Sequence, residues 1–71
     1  MENQVKVGDK VLAKFKRYNT SVFEGTIEEI KGDDIAIRPI RCVEGNDMEL
    51  SMALRLKALL GIKRKNIIEV L

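Results

Sequence analysis

Apolar and polar side chains alternate along three short segments between residues 7 and 40, and this alternation limits the chain to a small sheet. In the first segment every second residue is apolar: Val11, Ala13 and Phe15. The positions between and beside them are Lys10, Leu12, Lys14 and Lys16. A period of two residues is typical of a β-strand with one buried and one exposed face. We therefore expect a first strand here, with a mostly basic outer face.

The second segment follows the turn-forming residues 19–21 and has the same period. Phe23, Gly25 and Ile27 share one parity, and polar or smaller residues take the other. Glycine inside a strand is typical of a bulge or a sharp bend, which lets a short sheet curl onto itself. The sequence thus predicts a second strand that bends at Gly25, as in a small barrel.

The third segment begins after the polar connection formed by residues 31–34. Ile35 and Ile37 restart the two-residue period and predict a third strand. Pro39 lacks a backbone N–H donor, so we expect it to interrupt this strand and bend the chain. Residues 40–43 are expected to continue beyond it at an edge of the sheet.

The Met- and Leu-rich segment 48–60 fits two structures. Met or Leu occupies every second position of its first nine residues, as in a strand. The same residues are strong helix formers, Asn46 or Asp47 could cap a helix, and Gly61 could end one. A helix here would be apolar nearly all round and would need burial on both sides. We therefore expect a strand over residues 48–52, followed by a helical turn or short helix to residue 60.

The remaining features place the whole chain in one small domain. Residues 66–71 are mostly apolar and predict a closing strand. A chain of 71 residues with 45% hydrophobic and 34% charged residues is typical of one globular domain, here residues 1–71. The expected fold is mainly β, with five strands and a short helix or helical turn before the last one. We find no apolar run near the length of a membrane span and no secretory signal pattern.

Residue types argue against an enzyme and against a metal site. The chain has no histidine and one cysteine, Cys42, so neither a zinc set nor an internal disulfide is expected. No serine–histidine–aspartate set and no glycine-rich phosphate loop is present. We expect a non-enzymatic protein without cofactors, in the reducing cytoplasm.

Six residues in the first two strands and in the turn that starts strand one form a motif: Gly8, Asp9, Val11, Phe23, Gly25 and Ile27. With a long first loop and a short terminal strand, this motif resembles the SH3-like small β-barrels, in particular Tudor and KOW domains. The resemblance covers residues 7–43 and 65–70 and implies a five-stranded barrel rather than one function. Tudor readers of methylated side chains need an aromatic cage, and this chain offers only Tyr18, Phe23 and Phe15. Because Phe15 is expected in the core, methyl-ligand binding is not expected.

Charge is distributed unevenly, and the basic ends suggest a function. Residues 1–20 hold five bases against two acids, residues 21–49 three against eight, and residues 50–71 five against one. If the first and last strands are neighbours, the two basic ends form one surface suited to a nucleic-acid backbone of DNA or RNA. An aromatic side chain beside it could stack on a base. The predicted nucleic-acid-binding residues are Lys14, Lys16, Arg17, Tyr18, Lys63, Arg64 and Lys65.

An alternative function uses the Met- and Leu-rich segment instead. Flexible Met and Leu side chains on a surface are common at protein–protein contacts. If this segment is exposed, a protein partner or a homo-oligomer becomes the better hypothesis. The predicted interface residues are Met48, Leu50, Met52, Leu54, Leu56, Leu59 and Leu60.

Overall fold

The computed structural model describes residues 4–16 and 20–71 as five antiparallel strands, one α-helix and one 3₁₀ turn. In chain order the elements are β1 Lys10–Lys16, β2 Thr20–Lys31, β3 Asp34–Glu44, α1 Met48–Leu56, β4 Leu60–Lys63, the 3₁₀ turn Arg64–Asn66 and β5 Ile67–Val70. The strands form one sheet in the order β4-β3-β2-β1-β5. The prediction of a mainly β domain with five strands and a short helix before the last strand is confirmed.

The core lies on the face of the sheet that the alternation of apolar residues predicted. Every second residue of β1, and of β2 as far as Ile27, is buried, and the lysines of β1 lie on the opposite, exposed face. The third strand and the strand after the helix add isoleucines and a leucine to the same core. The core consists of Val11, Ala13, Phe15, Phe23, Ile27, Ile35, Ile37, Leu50, Ala53, Leu60, Ile62 and Ile67.

The sheet is strongly curled, because its two edge strands are joined by a very short connection. Only the three residues of the 3₁₀ turn separate β4 from β5, so Lys63 and Ile67 are at most about 14 Å apart. In a flat sheet the four strand spacings between these edges would separate them by roughly 19 Å. Three register shifts between β2 and β3, and one between β1 and β5, supply the bending.

Curling does not close the sheet into the predicted barrel. Among the described residues no ladder joins β4 to β5, and each of these four-residue strands pairs with a single neighbour. The 3₁₀ turn connects these two strands along the chain. Its first residue, Arg64, donates its backbone N–H to the carbonyl oxygen of Asp33 at 2.8 Å, which holds the turn against the β2–β3 connection. An open seam therefore remains between the two edges.

Gly25 lies at an irregularity of the β2–β3 pairing, as the sequence predicted. A register shift lies between Glu24 and Gly25, and Gly25 pairs with the buried Pro39. A Cβ atom at Gly25 would lie 2.5 Å from Ile37 Cγ2 and 2.7 Å from the carbonyl oxygen of Arg38. No side chain larger than hydrogen fits there without displacing β3.

Pro39 does not interrupt β3, contrary to prediction, although its place at an edge is as expected. The strand runs without a break to Glu44, and pairing with β4 ends at Ile37. Beyond Ile37, β3 has a β-ladder only with β2 among the described strands. The missing N–H of Pro39 therefore costs no hydrogen bond with a second strand.

The expected strand over residues 48–52 is wrong, because the first nine residues of the segment form α1. Asp47 caps the helix, with its Oδ1 accepting the backbone N–H of Leu50 at 3.0 Å. The helix ends at Lys57 in the left-handed conformation (φ 55°), four residues before Gly61. Arg38 donates its Nη1–H to the Lys57 carbonyl oxygen and thereby ties this end to the sheet. The cap at Asp47 and the contact with Arg38 therefore favour the helix over the strand.

We predict that Gly25→Ala lowers the free energy of unfolding by about 1–3 kcal/mol, because the added methyl group overlaps β3. Gly61→Ala is the matched control, since a Cβ there meets nothing within 4 Å, and it should change stability by less than about 0.5 kcal/mol. Urea denaturation followed by far-ultraviolet circular dichroism measures both. Equal stability of the two variants would contradict the close approach at Gly25.

We predict that Asp47→Ala lowers the free energy of unfolding by about 1 kcal/mol, because the helix loses its side-chain cap. Asp33→Ala is the control: the Asp33 side chain is exposed and lies in a turn, and its removal should cost less than about 0.5 kcal/mol. Thermal unfolding of both variants gives the comparison. A control that loses as much stability as Asp47→Ala would argue against the capping role.

Candidate nucleic-acid interface

A cleft of about 430 Å³ lies at the open seam of the sheet. It collects residues that are far apart in the sequence: the end of β1, the start of β3, the end of β4 and the 3₁₀ turn. Phe15 and Ile62, both largely buried, are its apolar residues. Polar and small residues complete the lining. The lining residues are Phe15, Lys16, Asp34, Gly61, Ile62, Lys63 and Asn66.

Two of the predicted phosphate-binding lysines, Lys16 and Lys63, therefore line the same cleft. The prediction that the final strand runs beside strand one is confirmed by the β1–β5 ladder. Lys63 is also adjacent to Asp34 in the β3–β4 ladder, and its Nζ lies 2.5 Å from Asp34 Oδ1. The hydrogen bond with Asp34 and the charge of its carboxylate raise the pKa of Lys63. Part of the positive charge of Lys63 is thus balanced by Asp34.

Arg64 has a structural role that the sequence did not reveal. Its Nη2–H donates to the carbonyl oxygen of Gly32 at 2.9 Å, in addition to the backbone bond with Asp33. Both contacts hold the 3₁₀ turn to the tip of the β2–β3 hairpin. The guanidinium of Arg64 therefore already donates to the protein's own backbone. The charge pattern had predicted that this side chain contacts phosphate.

Lys14 and Lys65 are exposed, but neither lines the cleft. Lys14 lies on the outer face of β1, two residues before Lys16, and Lys65 is in the 3₁₀ turn. Lys14, Lys16 and Lys65 make no ion pair with another described residue, whereas the outer faces of β2 and β3 carry the pairs Glu24–Arg41 and Glu28–Arg38. The unbalanced positive charge of the sheet is thus on β1 and the 3₁₀ turn.

Two members of the predicted set lie outside the described residues. These are Arg17 and Tyr18, in the connection between β1 and β2. Lys16 and Thr20, the described residues on either side, are directly paired at the end of the β1–β2 ladder. The predicted stacking role of Tyr18 therefore stays a prediction.

The residues predicted for the alternative protein interface do not share one surface. Leu50 and Leu60 are buried in the core, and Leu54 packs against it. The other members are exposed: Met48, Met52, Leu56 and Leu59. The buried and the exposed members separate because residues 48–56 form a helix. One side of this helix packs on the core, and the other faces outward.

Sequence reasoning missed Asp34, Gly61 and Asn66 as lining residues of the cleft. The sequence places Asp34 in the polar connection of residues 31–34, but it is the exposed first residue of β3 and contacts Lys63. Nothing in the local sequence pairs these two residues; only the β3–β4 register brings them together. The described residues contain no cluster of three or more histidine, cysteine or carboxylate side chains able to hold a metal ion. No helix in the described part of the chain is long and apolar enough to cross a membrane.

We predict that Asp34→Asn lowers the pKa of Lys63 toward the ordinary lysine value of 10.5, because the carboxylate charge that raises it is lost and any remaining hydrogen bond is to a neutral amide oxygen. Because the folded-state pKa is raised, the pair stabilises the fold below the ordinary lysine pKa. This contribution is lost as the pH rises through the raised value. Side-chain NMR titration of Lys63 measures the shift in both proteins. An identical titration in wild type and Asp34→Asn would contradict the contact.

Comparisons with protein-family models, with curated proteins and with solved structures return no match for this chain. The contacts and charges of the seam are therefore the basis for a functional proposal.

Proposed function

We propose that this protein is a small non-enzymatic binding module that contacts the phosphate backbone of a nucleic acid along the open seam of its sheet. The observation that carries the proposal is the convergence of Lys16 and Lys63 on one cleft. These lysines come from opposite ends of the chain and from strands that are not neighbours. A phosphate backbone needs several cations on one surface, and such a surface binds through charge rather than through base identity.

The contacts divide the predicted basic residues into two roles. Lys14, Lys16 and Lys65 make no described ion pair and are proposed as the principal phosphate contacts. Lys63 contributes less, since Asp34 competes with phosphate for its ammonium group. Arg64 positions the 3₁₀ turn and is proposed as a supporting residue. We expect a weak preference for sequence, because contacts to phosphate carry no direct information about the bases.

We also infer that the domain is an open variant of the SH3-like small barrels. Support comes from the strand count, the pairing of the last strand with the first, and the bend at Gly25. The open seam is the departure from that class. We place the protein in the cytoplasm, where the exposed thiol of Cys42 would stay reduced.

We predict salt-sensitive binding of labelled duplex DNA or single-stranded RNA, measured by fluorescence anisotropy at about 50 and about 200 mM salt. In Lys14→Gln/Lys16→Gln the slope of log affinity against log salt should become shallower. The expected change is about 1.8 for a duplex and about 1.4 for a single strand. Lys14→Arg/Lys16→Arg is the control that keeps both charges and should bind as wild type does. No binding of either nucleic acid at the lower salt would refute the proposal.

The same assay gives a gain-of-function test in which misfolding cannot imitate the expected result. Asp34→Asn removes the carboxylate that competes for Lys63, so affinity should rise and the salt slope for duplex DNA should steepen by about 0.9. Glu29→Gln is the matched control, because Glu29 pairs with Lys31 outside the cleft lining. Affinity that rises equally in both variants would indicate a response to net charge alone and would argue against the seam.

A further inference from the structure

One side of α1 exposes a line of large apolar side chains. Met48, Met52 and Leu56 are spaced four residues apart, so they share one face of the helix. Their exposed fractions are 82%, 47% and 67%. The opposite face, with the buried Leu50 and Ala53, packs on the core. We refer to Met48, Met52 and Leu56 as the apolar stripe.

The charges of α1 are complementary to those of a second α1 helix in the antiparallel orientation. Glu49 lies in the first turn, and Arg55 in the last, with Lys57 directly after it. Met52 is midway between Met48 and Leu56 and also midway between Glu49 and Arg55. An antiparallel copy centred on Met52 would therefore bring each acidic end beside a basic end. Such a copy would also oppose the two helix dipoles, which is the favourable orientation.

We propose that the apolar stripe docks on the apolar stripe of a second copy of this chain, in a two-fold symmetric dimer with antiparallel α1 helices. In such an isologous contact Met48 of one copy packs on Leu56 of the other, and the two Met52 side chains meet at the axis. Unbranched methionine at the axis can adjust its rotamer to fill the contact. This proposal does not depend on the nucleic-acid proposal, because the stripe shares no residue with the cleft.

Sedimentation velocity over about 10 to 500 µM protein tests the dimer. Wild type should show a concentration-dependent shift from monomer to dimer mass. Met52→Glu keeps a good helix former but places two carboxylates together at the axis, so the dissociation constant should rise at least about tenfold. Ile68→Glu is the matched control, since Ile68 on β5 is 45% exposed and lies outside the stripe. A wild type that stays monomeric throughout, or a dimer disrupted by Ile68→Glu and not by Met52→Glu, would overturn the proposal.

Charge exchange tests the antiparallel orientation through the single variants, because a parallel pair would already place like charges together in wild type and would not weaken on exchange. Glu49→Arg makes both ends of the stripe basic, and Arg55→Glu makes the first turn and the last turn acidic. Each variant alone should dimerise several-fold more weakly than wild type, because like charges then meet. An equimolar mixture should recover association, since each basic end now faces an acidic one. A mixture that associates no better than the separate variants, each shown by circular dichroism to be folded, would refute the antiparallel arrangement.

Discussion

The curvature of the sheet is the constraint on which the rest of this domain depends. A three-residue 3₁₀ turn must lead from one edge strand to the other, and a flat sheet would place those edges too far apart. Gly25 makes the curvature possible by letting β3 approach to distances that exclude a Cβ atom. The register shifts around it distribute the bend over several residue pairs. The core, the seam and the positions of the charged side chains all follow from this bend.

Polar contacts hold one side of the seam against the β2–β3 hairpin and the start of β3. Arg64 fastens the 3₁₀ turn to the β2–β3 hairpin, and Lys63 contacts Asp34 across the β3–β4 ladder. These contacts are exposed, so each contributes little to stability by itself. Their effect is positional, since they hold β4 and the turn beside the end of β1 without pairing the edges. Two of the basic residues that suggested a binding surface are thus partly used to build that surface.

The sequence predicted the strands well because their signal is local. A period of two residues in β1 and β2 identifies the buried face directly, and Gly25 marked the bend. The segment 48–60 could not be decided in this way, because alternating Met and Leu satisfy both periodicities. The cap at Asp47 and the contact of Arg38 with the helix end favour the helix, and the second contact is long-range. The cleft could not be predicted from the sequence either, because its lining depends on the β3–β4 register.

The two proposed surfaces would reinforce each other if both exist. Phosphate contacts from a few exposed lysines are individually weak and are screened by salt. A two-fold dimer would present two seams on one particle, and the second seam would then bind at the high effective concentration set by the first. Affinity would rise without any additional contact in either seam, provided that the nucleic acid spans both. A chain of 71 residues with three or four available cations would in this way bind nucleic acid more tightly than one copy could.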